Sequence, residues 1–154
     1  MKIAAVIPMK KLHLAKSRLS NILSPQQRKN LAMYLLNATI KELKKSNFIS
    51  EIVIVSSDEA VKNYSSLNNL KFIKDSDKGV NKAVILADKY CVDNGINANI
   101  VIPHDLPFIS AKEIDEICTI SNKYDKCIII CPSKRFDGTN VLFRKPPDVI
   151  KTFY

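Results

Sequence analysis

The chain has 154 residues, enough for one domain with a sizeable core, and its 46% apolar and 25% charged residues give a soluble, globular balance rather than a disordered one. Lys plus Arg outnumber Asp plus Glu by 24 to 15, and the net charge of +9 favours anionic partners, either nucleic acid or phosphorylated small molecules. The charge is scattered, densest at Lys10-Lys11 with Lys16 and Arg18, at Lys41 with Lys44-Lys45, and at Lys134-Arg135; no arginine-rich tail marks a nucleic-acid binder.

The charged Lys2 is followed at once by the short apolar run Ile3 to Ile7, ended by Pro8. That run is too short for a secretory leader and fits a strand buried on both faces. No apolar run approaches the length of a bilayer span, so the cytoplasm is the expected location. A polar, basic loop follows from Met9 to about Leu23. Ser24-Pro25-Gln26-Gln27 then predicts a helix start: Ser24 caps, Pro25 suits the first helical position, and Gln27 completes a capping box. Leu31, Leu35, Leu36, Ile40 and Leu43 recur at helical spacing, which carries the helix to about Lys45.

Ile52-Val53-Ile54-Val55 predicts a second buried strand, ending in Ser56-Ser57-Asp58 and followed by a short helix over Glu59 to Tyr64. Lys71-Phe72-Ile73 reads as a brief third strand. After the polar loop Asp75 to Gly79, a helix runs from Val80 to about Asn94 and is closed by Gly95. Ile100-Val101-Ile102 is the fourth strand and leads directly into Pro103-His104-Asp105. Ser110 caps a helix over Ala111 to about Asn122, Cys127 to Cys131 reads as a buried fifth strand, and Val141-Leu142-Phe143 as a short sixth. The alternation predicts an α/β domain, a mostly parallel sheet with helices on both faces. The four cysteines form no CxxC pair and read as core packing.

In such sheets ligands bind at the carboxyl ends of the strands, so the informative loops are 8–23, 56–58, 103–107 and 132–140. The first has neither a dinucleotide fingerprint nor a P-loop, but carries Lys10, Lys16, Ser17 and Arg18. Those cations fit a bound phosphate and a solvated basic loop equally well. Asp105 leaves a buried strand between two prolines, a place for a magnesium-binding carboxylate or an ordinary turn residue. His104 beside it is given no chemistry. Asp137-Gly138-Thr139-Asn140 reads as a turn or a phosphate-holding loop, and Asn81 as a helix-start residue or a contact for base or ribose. With no Ser/His/Asp set, no paired carboxylates, no Cys/His metal spacing and two histidines in all, the chemistry on offer is electrostatic rather than covalent.

Taken in order, these pieces resemble the 2-phospho-L-lactate guanylyltransferases (the CofC-like family) that act in coenzyme F-420 assembly. The matching stretches are Ile7-Pro8-Met9-Lys10 with Ala15-Lys16-Ser17-Arg18-Leu19, Leu23-Ser24-Pro25, Ser57-Asp58, Gly79-Val80-Asn81-Lys82-Ala83, Pro103-His104-Asp105-Leu106-Pro107 and Asp137-Gly138-Thr139-Asn140. The resemblance implies a single nucleotidyltransferase domain with a nucleotide-diphospho-sugar transferase (GT-A-like) fold. It implies transfer of GMP from GTP to 2-phospho-L-lactate or phosphoenolpyruvate, with release of pyrophosphate. It places Lys10, Lys16 and Arg18 on the GTP phosphates as catalytic cations, and Ser57, Asp58 and Asn81 near guanosine. It puts Asp105 on Mg2+, and Thr139, with Gly138 and Asn140, on the acid's phosphate.

After Thr139 the family continues with a Phe-Gly-x-x-Ser stretch and further acidic metal ligands, where this chain stops at Tyr154. The expectation is a C-terminally incomplete site, in a fragment or in a chain completed by another polypeptide. A missing strand would leave a sheet edge unpaired, hence low solubility or a homodimer, which sedimentation distinguishes from a monomer. The competing expectations are a non-catalytic nucleotide-binding domain, an RNA-binding domain with steeply salt-dependent affinity, and a related nucleotidyltransferase for another acceptor. The glycine-rich first loop of the sugar and molybdopterin enzymes is absent.

Overall fold

A computed structural model describes residues 1–135 and 138–152. β1 (Ile3–Met9), β2 (Ile49–Ser56), β3 (Lys71–Lys74) and β4 (Ala98–Val101) are mutually parallel, whereas β6 (Thr139–Lys145) runs antiparallel to both β4 and β5 (Cys127–Pro132). They form one 6-stranded sheet in the order β3-β2-β1-β4-β6-β5. The helices are α1 (Pro25–Lys45), α2 (Glu59–Leu67), α3 (Val80–Asp93) and α4 (Ala111–Ser121).

The period of two along a strand sends alternate residues of β1 into different cores. Ile3, Ala5, Ile7 and Met9 pack with Leu36, Ile40 and Leu43 of α1, Val61 of α2, and Ile114 and Cys118 of α4. Ala4 and Val6 pack on the opposite face with Ala83, Val84, Ala87 and Cys91 of α3. Continuous apolar runs in β1 and β2 are thus explained by burial on both faces.

The predicted capping chemistry is present. Ser24 accepts from the Gln27 N–H while the Gln27 side chain accepts from the Ser24 N–H, and Pro25 opens α1. Ser110 and Glu113 make the same reciprocal pair at α4. Gly95, at φ 64, turns the chain out of α3. α2 runs to Leu67, beyond the expected Tyr64, and β6 spans Thr139–Lys145. The fourth strand starts earlier, at Ala98, and ends at Val101, although the Ile102 N–H still bonds to Val6 O at 2.9 Å.

The fifth strand departs from expectation. It is not buried on both faces, because Ile128 is 39% exposed and Ile130 56% exposed. β5 is an edge strand, and α3, the helix on that side, packs over β1, β2 and β4. Only the Cys127, Ile129 and Cys131 face meets a core. The cysteines are all free; burial pushes the Cys91 and Cys118 thiols up to about 12, which keeps them protonated and inert.

Candidate active site

The carboxyl ends of the parallel strands open into a cleft of ≈ 900 Å³. Its walls come from distant stretches of chain: Lys10 and Leu14–Leu19 after β1, Asp75 to Ala83 after β3, Pro103 to Asp105 after β4, and Thr139 with Asn140 at the start of β6. The cleft lies at the edge where the rule that ligands bind beyond the carboxyl ends of such sheets would look for a site.

The loop after β1 is pinned rather than loose. It forms two short 3-10 turns, Leu12–Leu14 and Ser17–Leu19, and Leu12 is buried in the α1 core. The Leu12 N–H donates to Asp58 Oδ2 at 2.8 Å. The other Asp58 oxygen caps α2 by accepting from the N–H groups of Ala60 and Val61. Lys11 pairs with Asp77 at 3.1 Å, and Asp77 also accepts from the Ser57 hydroxyl. The Ser57 hydrogen bond, and then Lys11, hold the Asp77 carboxyl below its ordinary range. The loops after β1, β2 and β3 are therefore tied together through Asp58 and Asp77.

Between the two 3-10 turns Lys16 adopts φ 54, ψ 35, a left-handed conformation costing a side-chain-bearing residue about 1 kcal/mol or more. That geometry accompanies an ion pair across the cleft, Lys16 Nζ to Asp105 Oδ2 at 2.8 Å. Burial pushes the Asp105 carboxyl upward, but the Lys16 hydrogen bond and charge, aided by His104, bring it net below its ordinary value. Asp105 is thus an anion at neutral pH with a cation already on it. Burial lowers the His104 imidazole below its ordinary value, and the buried Nε2 of this ring at the cleft wall has no partner among the described residues.

Replacing Lys16 with Met removes the ammonium but keeps an unbranched stem. The Asp105 carboxyl should then titrate at higher pH, because burial is left opposed mainly by His104; carboxyl 13C NMR reads the midpoint. An unmoved midpoint would show that the pair does not form in solution.

Of the residues singled out in the sequence, Lys10, Lys16, Arg18, Asp105, Thr139 and Asn140 meet in this cleft. Ser57 and Asp58 stand behind the wall as loop anchors. Asn81 lies in the first turn of α3, beside the lining residues Gly79 and Val80, and Gly138 directly precedes the lining residue Thr139. Asp137 lies outside the described residues. Sequence reasoning passed over Asp75 and Asp77, which line the cleft from a stretch read as a polar loop. The two-residue spacing of these carboxylates after a strand was the available signal.

Among the described residues no group of His, Cys, Asp and Glu gathers as a ready-made metal site. Asp105 offers one hard carboxylate, which suits a magnesium ion that shares its coordination with substrate phosphates. The Lys16 ammonium resting on that carboxylate shows that the position attracts positive charge. Among the described residues no helix is long and apolar enough to cross a membrane.

The family model for the guanylyl transferase CofC-like proteins matches residues 2–154. A phosphoenolpyruvate guanylyltransferase of Thermobaculum terrenum is 38% identical over 147 residues, covering 96% of this chain and 63% of the relative. A 2-phospho-L-lactate guanylyltransferase of Methanocaldococcus jannaschii is 39% identical over 155 residues, covering 99% of this chain and 64% of the relative. The chain thus spans less than two thirds of the length of these relatives. Among solved structures, a chain provisionally called a nucleotide-diphospho-sugar transferase, from Desulfovibrio desulfuricans G20, superposes with a TM-score of 0.77 at 12% identity, over 97% of this chain and 68% of that one. At that identity the likeness is one of fold, and it agrees with the nucleotide-diphospho-sugar transferase architecture expected from the sequence.

Proposed function

Because the chain belongs to the CofC-like guanylyl transferase family, we propose that it carries the nucleotide- and metal-binding part of an enzyme transferring GMP from GTP to a small phosphorylated acid. The acceptor is 2-phospho-L-lactate or phosphoenolpyruvate, the acids named for its relatives, and the product feeds coenzyme F-420 assembly. The observation that carries this reading is the convergence in one cleft of Lys10, Lys16 and Arg18 with Asp105, facing Thr139 and Asn140.

The chemistry needs little from the protein beyond charge and position. An oxygen of the acceptor's phosphate attacks the α-phosphorus of GTP, the bond from that phosphorus to the bridging oxygen breaks, and pyrophosphate departs with the electron pair. The acceptor phosphate is already ionised near neutral pH, so no strong base is required. Lys10, Lys16 and Arg18 screen the triphosphate and the charge that gathers on the leaving group. Thr139 and Asn140, on the far side of Asp105 in the strand order, hold the acceptor in line. Asp105 would hold magnesium, which when bound supplies further neutralisation of the phosphates. The reaction is placed in the cytoplasm.

The test is pyrophosphate release from GTP and Mg2+ with each acid in turn, with mass spectrometry of the guanosine diphosphate-linked product. Release with either acid is expected. The second reading is a domain that binds GTP without turnover, for which the phosphate-sized cluster of cations in the cleft would suffice. Saturable GTP binding with no pyrophosphate would decide for it.

A further inference from the structure

Resting on the reading of the cleft as a GTP site, we propose that Asp75 reads the guanine base and makes the site specific for it. Asp75 follows β3 directly, and its N–H donates to Ser56 O at 2.9 Å, which extends the β2–β3 ladder and fixes the backbone there. Its side chain lines the cleft, half-buried. One oxygen, Oδ1, accepts from the adjacent Ser76 N–H at 2.7 Å. Among the described residues no cation pairs with it, unlike Asp77, whose carboxylate is taken by Lys11 and Ser57. Oδ2 and the remaining lone pair of Oδ1 are left for a ligand.

Position and chemistry agree on which ligand group that is. Strand order puts β3 three strand spacings from β4, so Asp75 and Asp105 stand about 14 Å apart along the sheet edge. The cations of the loop after β1 lie between them. A nucleotide with its phosphates on Lys16 and Asp105 therefore sends its base toward β3. There Val80, part-exposed above the nearly buried Met9 and Ala83, offers an apolar contact to a flat ring, and Ile73, two residues before Asp75, packs in the same core as Val80 and Ala83. A carboxylate is acceptor-only, with two oxygens side by side. Guanine alone among the common bases presents two adjacent donors, N1–H and the 2-amino group, to such a fork. Adenine and cytosine put a ring-nitrogen lone pair against it, and a half-buried carboxylate facing a lone pair is penalised rather than merely unrewarded.

The experiment is equilibrium binding of GTP, ITP, XTP and ATP to the wild-type chain, Asp75→Asn and Asp77→Asn. ITP lacks the 2-amino group, so the wild type should prefer GTP to ITP by about tenfold or more, the scale of one charge-assisted hydrogen bond. Asp75→Asn should lose GTP affinity by roughly 10- to 100-fold. It should also gain affinity for XTP, whose 2-oxo group accepts from the new amide N–H. That gain cannot come from misfolding. Asp77→Asn, which loosens a loop anchor, should weaken every nucleotide alike and leave their ranking unchanged. A wild type that selects GTP while Asp75→Asn keeps the same ranking overturns the assignment of Asp75 alone. A wild type with no preference for GTP overturns both the assignment and the reading of the cleft.

Discussion

Asp105→Ala should lower the rate of GMP transfer about 10²- to 10³-fold, the usual cost of removing one preorganised electrostatic group from a reacting centre. The same variant should bind GTP in the presence of a chelator as well as the wild type, or better. The two expectations follow from the ion pair at 2.8 Å. In the free protein Asp105 and Lys16 neutralise each other, so the Lys16 charge is partly spent before a phosphate arrives. Without metal, Asp105 is an anion beside the triphosphate and repels it; its removal also frees Lys16. With metal, the carboxylate would be the protein's own ligand at this position on the proposed reading, and its loss would leave the ion held by phosphates and water. Lys16→Ala should behave in the opposite way and weaken GTP binding whether or not metal is present. Calorimetric titration of both variants, with and without Mg2+, checks the pair of predictions. If Asp105→Ala weakens metal-free GTP binding as much as Lys16→Ala, Asp105 serves to hold Lys16 in place rather than to hold metal.

The features legible in the sequence were those governed by local rules. The capping box at Ser24 and the N-cap at Ser110 carry their own hydrogen-bonding logic within a few residues, and both form. The strand-end rule expected Lys10, Lys16, Arg18 and Asp105 at one edge, and they line one cleft there, because strand order needs no side-chain detail. What escaped was decided by tertiary neighbours. Cys127 to Cys131 has the same apolar run as β1, but the exposure of Ile128 and Ile130 depends on which helix reaches the sheet edge. Ser57 and Asp58 follow a buried strand, as a ligand contact would. That they also anchor the neighbouring loops emerges only when Leu12 and Asp77, distant in sequence, arrive beside them. Asp75 lay in a stretch whose polarity is equally that of any loop.

Arg144 was the least foreseeable case, because a charge near the end of a short strand is ordinarily read as solvated. It is instead fully buried. Its guanidinium grips Asp88 of α3 with both terminal nitrogens, the Nη1 contact being 2.8 Å. Asn99, opposite Arg144 in the β4–β6 register, donates to the same carboxylate at 2.8 Å. Burial pushes the Asp88 carboxyl upward, and Arg144 and Asn99 pull against it, so much of the Coulombic gain is consumed by desolvation. The net value of such a pair is small, but the cost of breaking it is not. Asp88→Ala strands an uncompensated guanidinium in the core and should destabilise the chain by about 3–5 kcal/mol. For a chain of this length that lowers the melting midpoint by roughly 10 °C. Arg144→Met combined with Asp88→Leu replaces both charges with apolar volume and should recover most of the loss, which thermal and urea melts of the single and double variants would show. A double variant no more stable than Asp88→Ala would mean that packing of these side chains, not charge, sets the cost. With Asn99, the pair joins three of the elements that deliver the cleft's walls: α3 begins at Val80, β4 leads to Asp105, and β6 begins at Thr139. A buried ion pair that adds little net stability can still hold those elements in one register. On that basis the double variant should regain its melting temperature more fully than its affinity for GTP.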